Sequence, residues 1–499
     1  MNAFRSNSQT MPVFSLPARG PLLGEDYAPP RRLYVTLFPL LLMLAAMITW
    51  AVSDETAMVM ASVVATIIAV YTLWEWLFRF GPTRFSTLLA MSSLLGYCTG
   101  TLNTWLTLPR GRLSLAQIMG SDEGILARAI AAVLICAAFL YFFGELYERP
   151  LFGREFRIPM DQRTYLLIYL GTLLVIVGFL THQLAYMGLT HGEGGKQNVF
   201  GVFILWMFTP LVAMSIAVFL ATPRGATKVA VGICSAILFV LLMALGRRVL
   251  IYTGVEILFA LRLTGYRVQG STFKKVFLVM LLGFCVVVGA LSFMLLRIAG
   301  WHAGGGRSDQ AISLVERIQT AIGWVQDGSA LERTTQASAS NVEKRTFVIQ
   351  FFADVLEGSS RATTGMGEDL MGQIGSTIPR AINWNKDSSF GEEDLADRLF
   401  GLTWGDAPNS ILTAGAIDFG LVGVILYPLM IVTLAKFVAN FIFRRVPAFP
   451  AAIVGLSFIF QMLQTEGNLS TPLVTIRNAV IFAAVLYFYS RLPTFRLQR

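Results

Sequence analysis

Apolar runs of about 20 residues, the length that crosses the hydrocarbon core of a bilayer, recur along this chain between short polar or basic connectors. Read this way, the pattern predicts twelve membrane-spanning helices near residues 33–52, 57–78, 86–106, 126–146, 165–186, 198–221, 227–246, 248–264, 275–298, 410–434, 447–465 and 473–491. The run at 248–264 is short and carries Glu256 and Arg262. Residues 300–409 interrupt the pattern with polar chain, so a large loop domain is expected between spans 9 and 10. The expected fold class is an all-α integral membrane protein. Residues 1–32 are polar, with Pro and Gly, and read as a disordered tail; 492–499 form a short closing tail. No basic, then apolar, then small-residue order marks a cleaved leader, so the first span is expected to stay as an anchor.

Charge assigns the connectors to sides. Lys and Arg gather in short cytoplasmic loops, whereas long translocated domains escape that rule. Arg31 and Arg32, Arg79 and Arg84, Arg149 to Arg163, Arg224 and Lys228, Arg267 to Lys275, Lys436 to Arg445, and Arg491 to Arg499 all fall on one side if both termini are cytoplasmic. The 300–409 loop carries nine Lys/Arg against fifteen Asp/Glu, a balance of −6. The whole chain is +9, which leaves +15 on the remainder. An acidic loop on a basic, apolar scaffold reads as an extracytoplasmic domain. Charged residues make up 14% of the chain against about 25% in a soluble globule. The net positive charge therefore needs no nucleic-acid partner; basic residues beside membrane spans account for it. Cys98, Cys136, Cys234 and Cys285 all lie in apolar runs, which implies neither a disulfide framework nor a cysteine metal site.

One basic pair breaks the side rule. Gly246-Arg247-Arg248 opens span 8 at its outer end, where each arginine costs about 2.5–3.5 kcal/mol if held near a helix centre. Two readings stand: a basic turn snorkelling to headgroups, or an anion site that uses the planar donor fork of Arg. Asp418 lies two turns into span 10, where an unpaired carboxylate is costly, and is expected to face inward against an Arg. Arg477 in span 12 and Glu466 at the outer end of span 11 are further polar groups at modest depth. Together with Arg247 and Arg248 they suggest one polar cavity open to the outer face. Gly415, Gly420 and Gly423 permit close helix contact.

Within the loop, Asn341 to Leu356 reads as a partly amphipathic helix that either packs on the domain or lies on the membrane. The segment Ile378-Pro379-Arg380 to Trp384-Asn385-Lys386 sets cations beside an indole, which suits a sugar phosphate as well as it suits a solvated turn. Of the three histidines, His302 at the loop entrance is the best placed for chemistry; His182 lies near the outer end of span 5 and His191 in a short outer loop.

These features resemble the O-antigen and exopolysaccharide polymerases of the Wzy type and, more distantly, the O-antigen ligases. The resemblance rests on twelve spans with one large loop after the ninth and on the Gly-Arg-Arg opening of span 8. It also rests on Ile378-Pro379-Arg380…Lys386 and on Asn409-Ser410…Asp418-x-Gly420-x-x-Gly423. It implies a GT-C-like membrane glycosyltransferase that joins polyprenyl-diphosphate-linked oligosaccharides at the periplasmic face of the bacterial inner membrane. The ligase His before the Asn of span 10 is replaced by Pro408, and the usual Glu before the paired glycines is Asp418.

The sequence reading is a polysaccharide polymerase. Arg247, Arg248, Arg380, Asp418 and His302 are its catalytic candidates. Arg380 and the arginine pair would hold the leaving diphosphate, and a carboxylate or His302 would act on the acceptor hydroxyl. Lys386, Trp384, Asn409, Glu466, Arg477 and Arg361 complete the substrate-binding candidates. No cofactor is expected, and because diphosphate is a good leaving group no metal is required. Expected partners are the lipid-linked oligosaccharide, membrane lipid, and a chain-length regulator and flippase of the same pathway. The alternatives are a ligase-like glycan transferase, a lipid-linked oligosaccharide transporter, or a non-enzymatic assembly partner. A transporter would be expected to show internal repeats, and none is visible.

Overall fold

Long apolar sequence in lipid must satisfy its own backbone hydrogen bonds, which leaves helices as the solution for single-chain segments. The computed structural model describes residues 33–491 apart from 79–83, 108–113, 152–155, 182, 185–198, 244, 246, 267–282, 284–287, 290, 301, 303–313, 331, 335–347, 379–390 and 405–406. The described residues are helical with no strand. Seven of the helices are long and apolar enough to cross a membrane. The chain is an all-α membrane protein.

Helix α1 (Phe38–Val52) follows a π turn and α2 spans Glu55–Phe78; α3 (Phe85–Ser93) runs through a π segment, Leu94–Thr99, into α4 (Gly100–Thr107). The short α5 (Leu115–Met119) precedes α6 (Glu123–Tyr147), α7 (Gln162–Leu180), α8 (Val199–Ala221), α9 (Ala226–Met243) and α10 (Arg247–Leu263). Next come α11 (Leu291–Gly300), α12 (Leu314–Gln326), α13 (Val348–Arg361), α14 (Glu368–Thr377) and α15 (Glu392–Phe400). Three helices close the fold: α16 (Ile411–Phe443), α17 (Ala448–Leu463) and α18 (Ser470–Arg491). Starts are set by side-chain caps from Ser114, Asp122, Asp161 and Ser410, which accept from otherwise orphaned backbone N–H groups. The expected span at 275–298 lies largely outside the described residues.

The core is centred on α6. Its alanines, among them Ala127, Ala129, Ala131, Ala132 and Ala137, are buried, and such small residues let neighbouring helices approach closely. Helices α1, α3, α13 and α16 pack around it. Of the amphipathic helix foreseen at 341–356, residues 341–347 lie outside the described residues; the rest falls in α13, whose apolar face is packed inside the protein. Phe352 meets the Tyr97 ring at 5.6 Å and Phe351 meets Trp404 at 5.4 Å.

The connectors sort to two ends. At one end Arg84 pairs with Glu145 and donates to the Glu148 carbonyl at 2.9 Å, while Lys436 Nζ lies 3.9 Å from Glu148. Ile158 N–H donates to the Leu263 carbonyl there at 3.0 Å. At the other end Glu55 accepts from Trp105 (3.0 Å) and from the Leu115 N–H (3.2 Å). Thr465 donates to the Ser92 carbonyl at 2.8 Å, and Gly467 N–H to the Asn409 carbonyl at 2.8 Å. Arg84 before α3, Glu148 after α6 and Lys436 of α16 thus share the first end, and Glu392 of α15, bound to the Leu469 N–H, belongs with the second.

Candidate functional site

Helix α16 is not one continuous rod. Phe419 (φ −138°, ψ 19°) and Gly420 (φ 57°, ψ −141°) break it. The left-handed φ at 420 is one that L side chains rarely adopt. The break folds the first half, Ile411–Asp418, against the second. A Cβ on Gly415 would stand 2.2 Å from the Gly423 carbonyl oxygen, and one on Gly423 would stand 1.8 Å from the Gly415 oxygen. In a straight helix those residues would be about 12 Å apart. All eight residues of the first half are buried. Broken helices surrounded by protein are a recurrent way to set backbone ends and polar groups at membrane depth.

The half-helix ends on Asp418, which is fully buried. Asp418 was expected to meet an arginine; instead its carboxylate caps a second helix. Its Oδ1 accepts from the Asp369 N–H and its Oδ2 from the Leu370 N–H, both at 3.0 Å. The Tyr427 hydroxyl donates to Oδ2 as well. Two further bonds tie the segments, Gly365 N–H to the Ile417 carbonyl (2.9 Å) and Met366 N–H to the Asp418 carbonyl (3.0 Å). An anion at a helix N-terminus matches both the free N–H groups and the macrodipole. At the far end of α14 the Arg477 guanidinium donates to the Thr377 carbonyl and to Asn478 Oδ1.

Two more carboxylates converge here. Asp369 is 2% exposed; Oδ1 accepts from Gln373 at 3.1 Å and Oδ2 has no hydrogen-bond partner among the described residues. Burial, with the Asp418 carboxylate close by, pushes the Asp369 carboxyl up to about 7. Glu392 is fully buried; Oε1 accepts from the Leu469 N–H at 3.0 Å and Oε2 has no hydrogen-bond partner among the described residues. Burial, and then the nearby Asp369, holds Glu392 well above the ordinary carboxylate range. Beside it, Glu393 accepts from the Ala407 N–H (3.0 Å) and from Asn409 Nδ2 (3.3 Å). Buried carboxylates with strongly raised values are where functional sites are sought. Asp369 and Glu392 were not among the sequence candidates.

The chain matches no family model, no curated protein and no solved structure.

Of the sequence candidates, Asp418, Asn409 and Arg477 belong to this assembly. Glu466 sits in the turn between Thr465 and Gly467, each of which is tied to the same end of the bundle. Arg247 and Arg248 form the first turn of α10, whose opposite end carries the Leu263 carbonyl bound by Ile158. The Tyr252 ring meets Phe460 of α17 at 5.4 Å. The Arg-Arg turn therefore opens at the same end of the bundle as the 464–469 turn. Arg380, Trp384 and Lys386 lie outside the described residues. Arg361 is exposed and pairs with Glu357, which also meets Arg128 at 3.3 Å. His302 sets its ring edge-on to Trp324 at 5.5 Å, in a small cluster with Ala299 and Ala321 separate from the main core.

Proposed function

We propose that this protein is a membrane glycosyltransferase of the polysaccharide polymerase kind. It would join polyprenyl-diphosphate-linked oligosaccharide units at the periplasmic face of a bacterial inner membrane, with about twelve spans, residues 300–409 outside and both termini cytoplasmic. The observation that carries the reading is the buried, partly unsatisfied acid pair Asp369 and Glu392 beside a broken helix, at the end of the bundle where Arg247 and Arg248 also open. The pair would supply a proton acceptor and the arginines an anion site, which together are the needs of glycosyl transfer from a diphosphate.

In this reading the acceptor hydroxyl oxygen bonds to the anomeric carbon of the donor glycan as the bond to the diphosphate breaks. The hydroxyl proton passes to Asp369, and the lipid diphosphate leaves with both its electrons. Arg247, Arg248 and Arg380 stabilise the charge that gathers on it. Asp418 is engaged by two N–H groups and a hydroxyl, so its role is to position α14. Arg477 does the same from the other end. A chain-length regulator and a flippase of the same pathway are the expected partners.

The broken α16 equally suits a lipid-linked oligosaccharide transporter, since such helices form transport sites. The two readings part on Arg380→Ala. A polymerase variant leaves single repeat units on the carrier at the outer face, because translocation comes earlier. A transporter variant strands them at the inner face, and that outcome would end the polymerase reading.

A further inference from the structure

Helix α14 is amphipathic in the inverted sense. The residues it buries are Asp369, Gln373 and Thr377, at a spacing of four; of its three large apolar residues Leu370 packs against the core, whereas Met371 and Ile374 are 67% and 37% exposed. In a water-facing domain the hydrophobic effect drives the opposite arrangement. An element that turns polar groups inward and apolar ones outward is stable where its surroundings are hydrocarbon.

The C-terminal anchor of α14 gives it a depth, while its N-terminus is held by Asp418 at the fold-back of α16. Arg477, on its C-terminus, lies seven residues beyond Ser470, the first residue of α18; that is about 10 Å. The hydrocarbon half-thickness of a bilayer is about 15 Å. The outward face of α14 also adjoins lipid-facing surface. It packs between α16 and α18, whose Val422, Val480 and Ile481 are exposed in the same way. The ion pair between Glu368 and Arg398, exposed at the first turn, marks the polar edge of this face.

We infer that α14 is embedded in the outer leaflet as a short re-entrant helix, with Met371 and Ile374 docked against bilayer acyl chains and Asp369 and Gln373 turned into the protein. The sequence alone would leave this segment in a periplasmic domain. The inference does not depend on the polymerase reading, because polarity and depth would be the same in a transporter.

The test uses the full-length protein with its four native cysteines replaced by alanine and a single nitroxide label at Met371→Cys or Ile374→Cys. The protein is reconstituted in phosphatidylethanolamine–phosphatidylglycerol vesicles without polyprenyl lipid. Power saturation then compares collisions with oxygen, which concentrates in hydrocarbon, and with a water-soluble nickel chelate. Val422→Cys serves as the lipid-facing reference and Asp327→Cys as the aqueous one. At 371 and 374 oxygen access should match the 422 label, and nickel access should be several-fold below the 327 label. Nickel access equal to that at 327 would overturn the inference. So would low access to both reagents, since a protein segment would then cover the face. A thermal unfolding midpoint in detergent close to that of the cysteine-free protein confirms that each labelled variant is folded, and either position that passes this control decides the outcome by itself.

Discussion

Asp418 and Arg477 hold opposite ends of one ten-residue helix, the carboxylate on the N–H groups of Asp369 and Leu370 and the guanidinium on the carbonyl of Thr377. Both charges oppose the helix macrodipole favourably. Hydrogen bonds to a charged partner contribute about 1.5–3 kcal/mol each. Asp418→Ala should therefore destabilise the protein by several kcal/mol, because it also leaves the Tyr427 hydroxyl and two N–H groups without their acceptor. Tyr427→Phe should cost much less. Thermal unfolding in detergent, monitored by tryptophan fluorescence, gives both values; equal effects would show that the cap is not what Asp418 supplies.

The Gly415–Gly423 contact is backbone on backbone, so no side chain can move aside. Gly415→Ala or Gly423→Ala should abolish the fold at the α16 break and sharply lower the amount of protein in the membrane. Gly100→Ala meets nothing within 4 Å. It should be neutral or stabilise by up to about 1 kcal/mol, since alanine is the better helix former. Quantitative blots of membrane fractions compare the three.

The acid pair ties stability to pH with a definite sign. Between the ordinary carboxylate range near pH 4 and about 7, folded Asp369 keeps a proton that the unfolded chain has released. Its contribution is thus fully present at low pH and is lost as pH rises through that window. Glu392, also raised by burial, acts in the same direction. The unfolding midpoint of the wild type should fall from pH 5 to pH 8, and Asp369→Asn should flatten the slope without removing it. Activity should move the other way, rising as Asp369 ionises to become a proton acceptor. A pH–rate profile in Asp369→Asn that keeps the wild-type acidic limb would remove Asp369 from that role.

Most of the helices were legible in the sequence because bilayer thickness imposes a length that apolar runs must meet. That Arg84, Arg149 and Lys436 gather at one end was legible because basic residues cluster in short connectors whatever the detailed packing. What escaped was tertiary. The run from Ile411 to Phe443 is largely apolar, so nothing in its periodicity marks a fold-back, although Asp418 followed by Gly420 and Gly423 is the local signal. An arginine was sought for Asp418 because side-chain pairing can be read from sequence, whereas backbone donors at a distant helix start cannot. Asp369 and Glu392 looked like ordinary loop acids; only the fold buries them. The spacing of Asp369, Gln373 and Thr377 against Met371 and Ile374 was present in the sequence, but which face turns inward depends on α16 and α18.

We propose that the protein itself elongates a lipid-linked glycan. The direct measurement is to purify it, reconstitute it with polyprenyl-diphosphate-linked repeat units and no other protein, and resolve the products on a glycan gel. The account predicts a ladder of lengths differing by one repeat unit, with release of polyprenyl diphosphate, and its loss in Arg380→Ala. Units that stay single in the presence of folded protein, or that merely change membrane side, would contradict it.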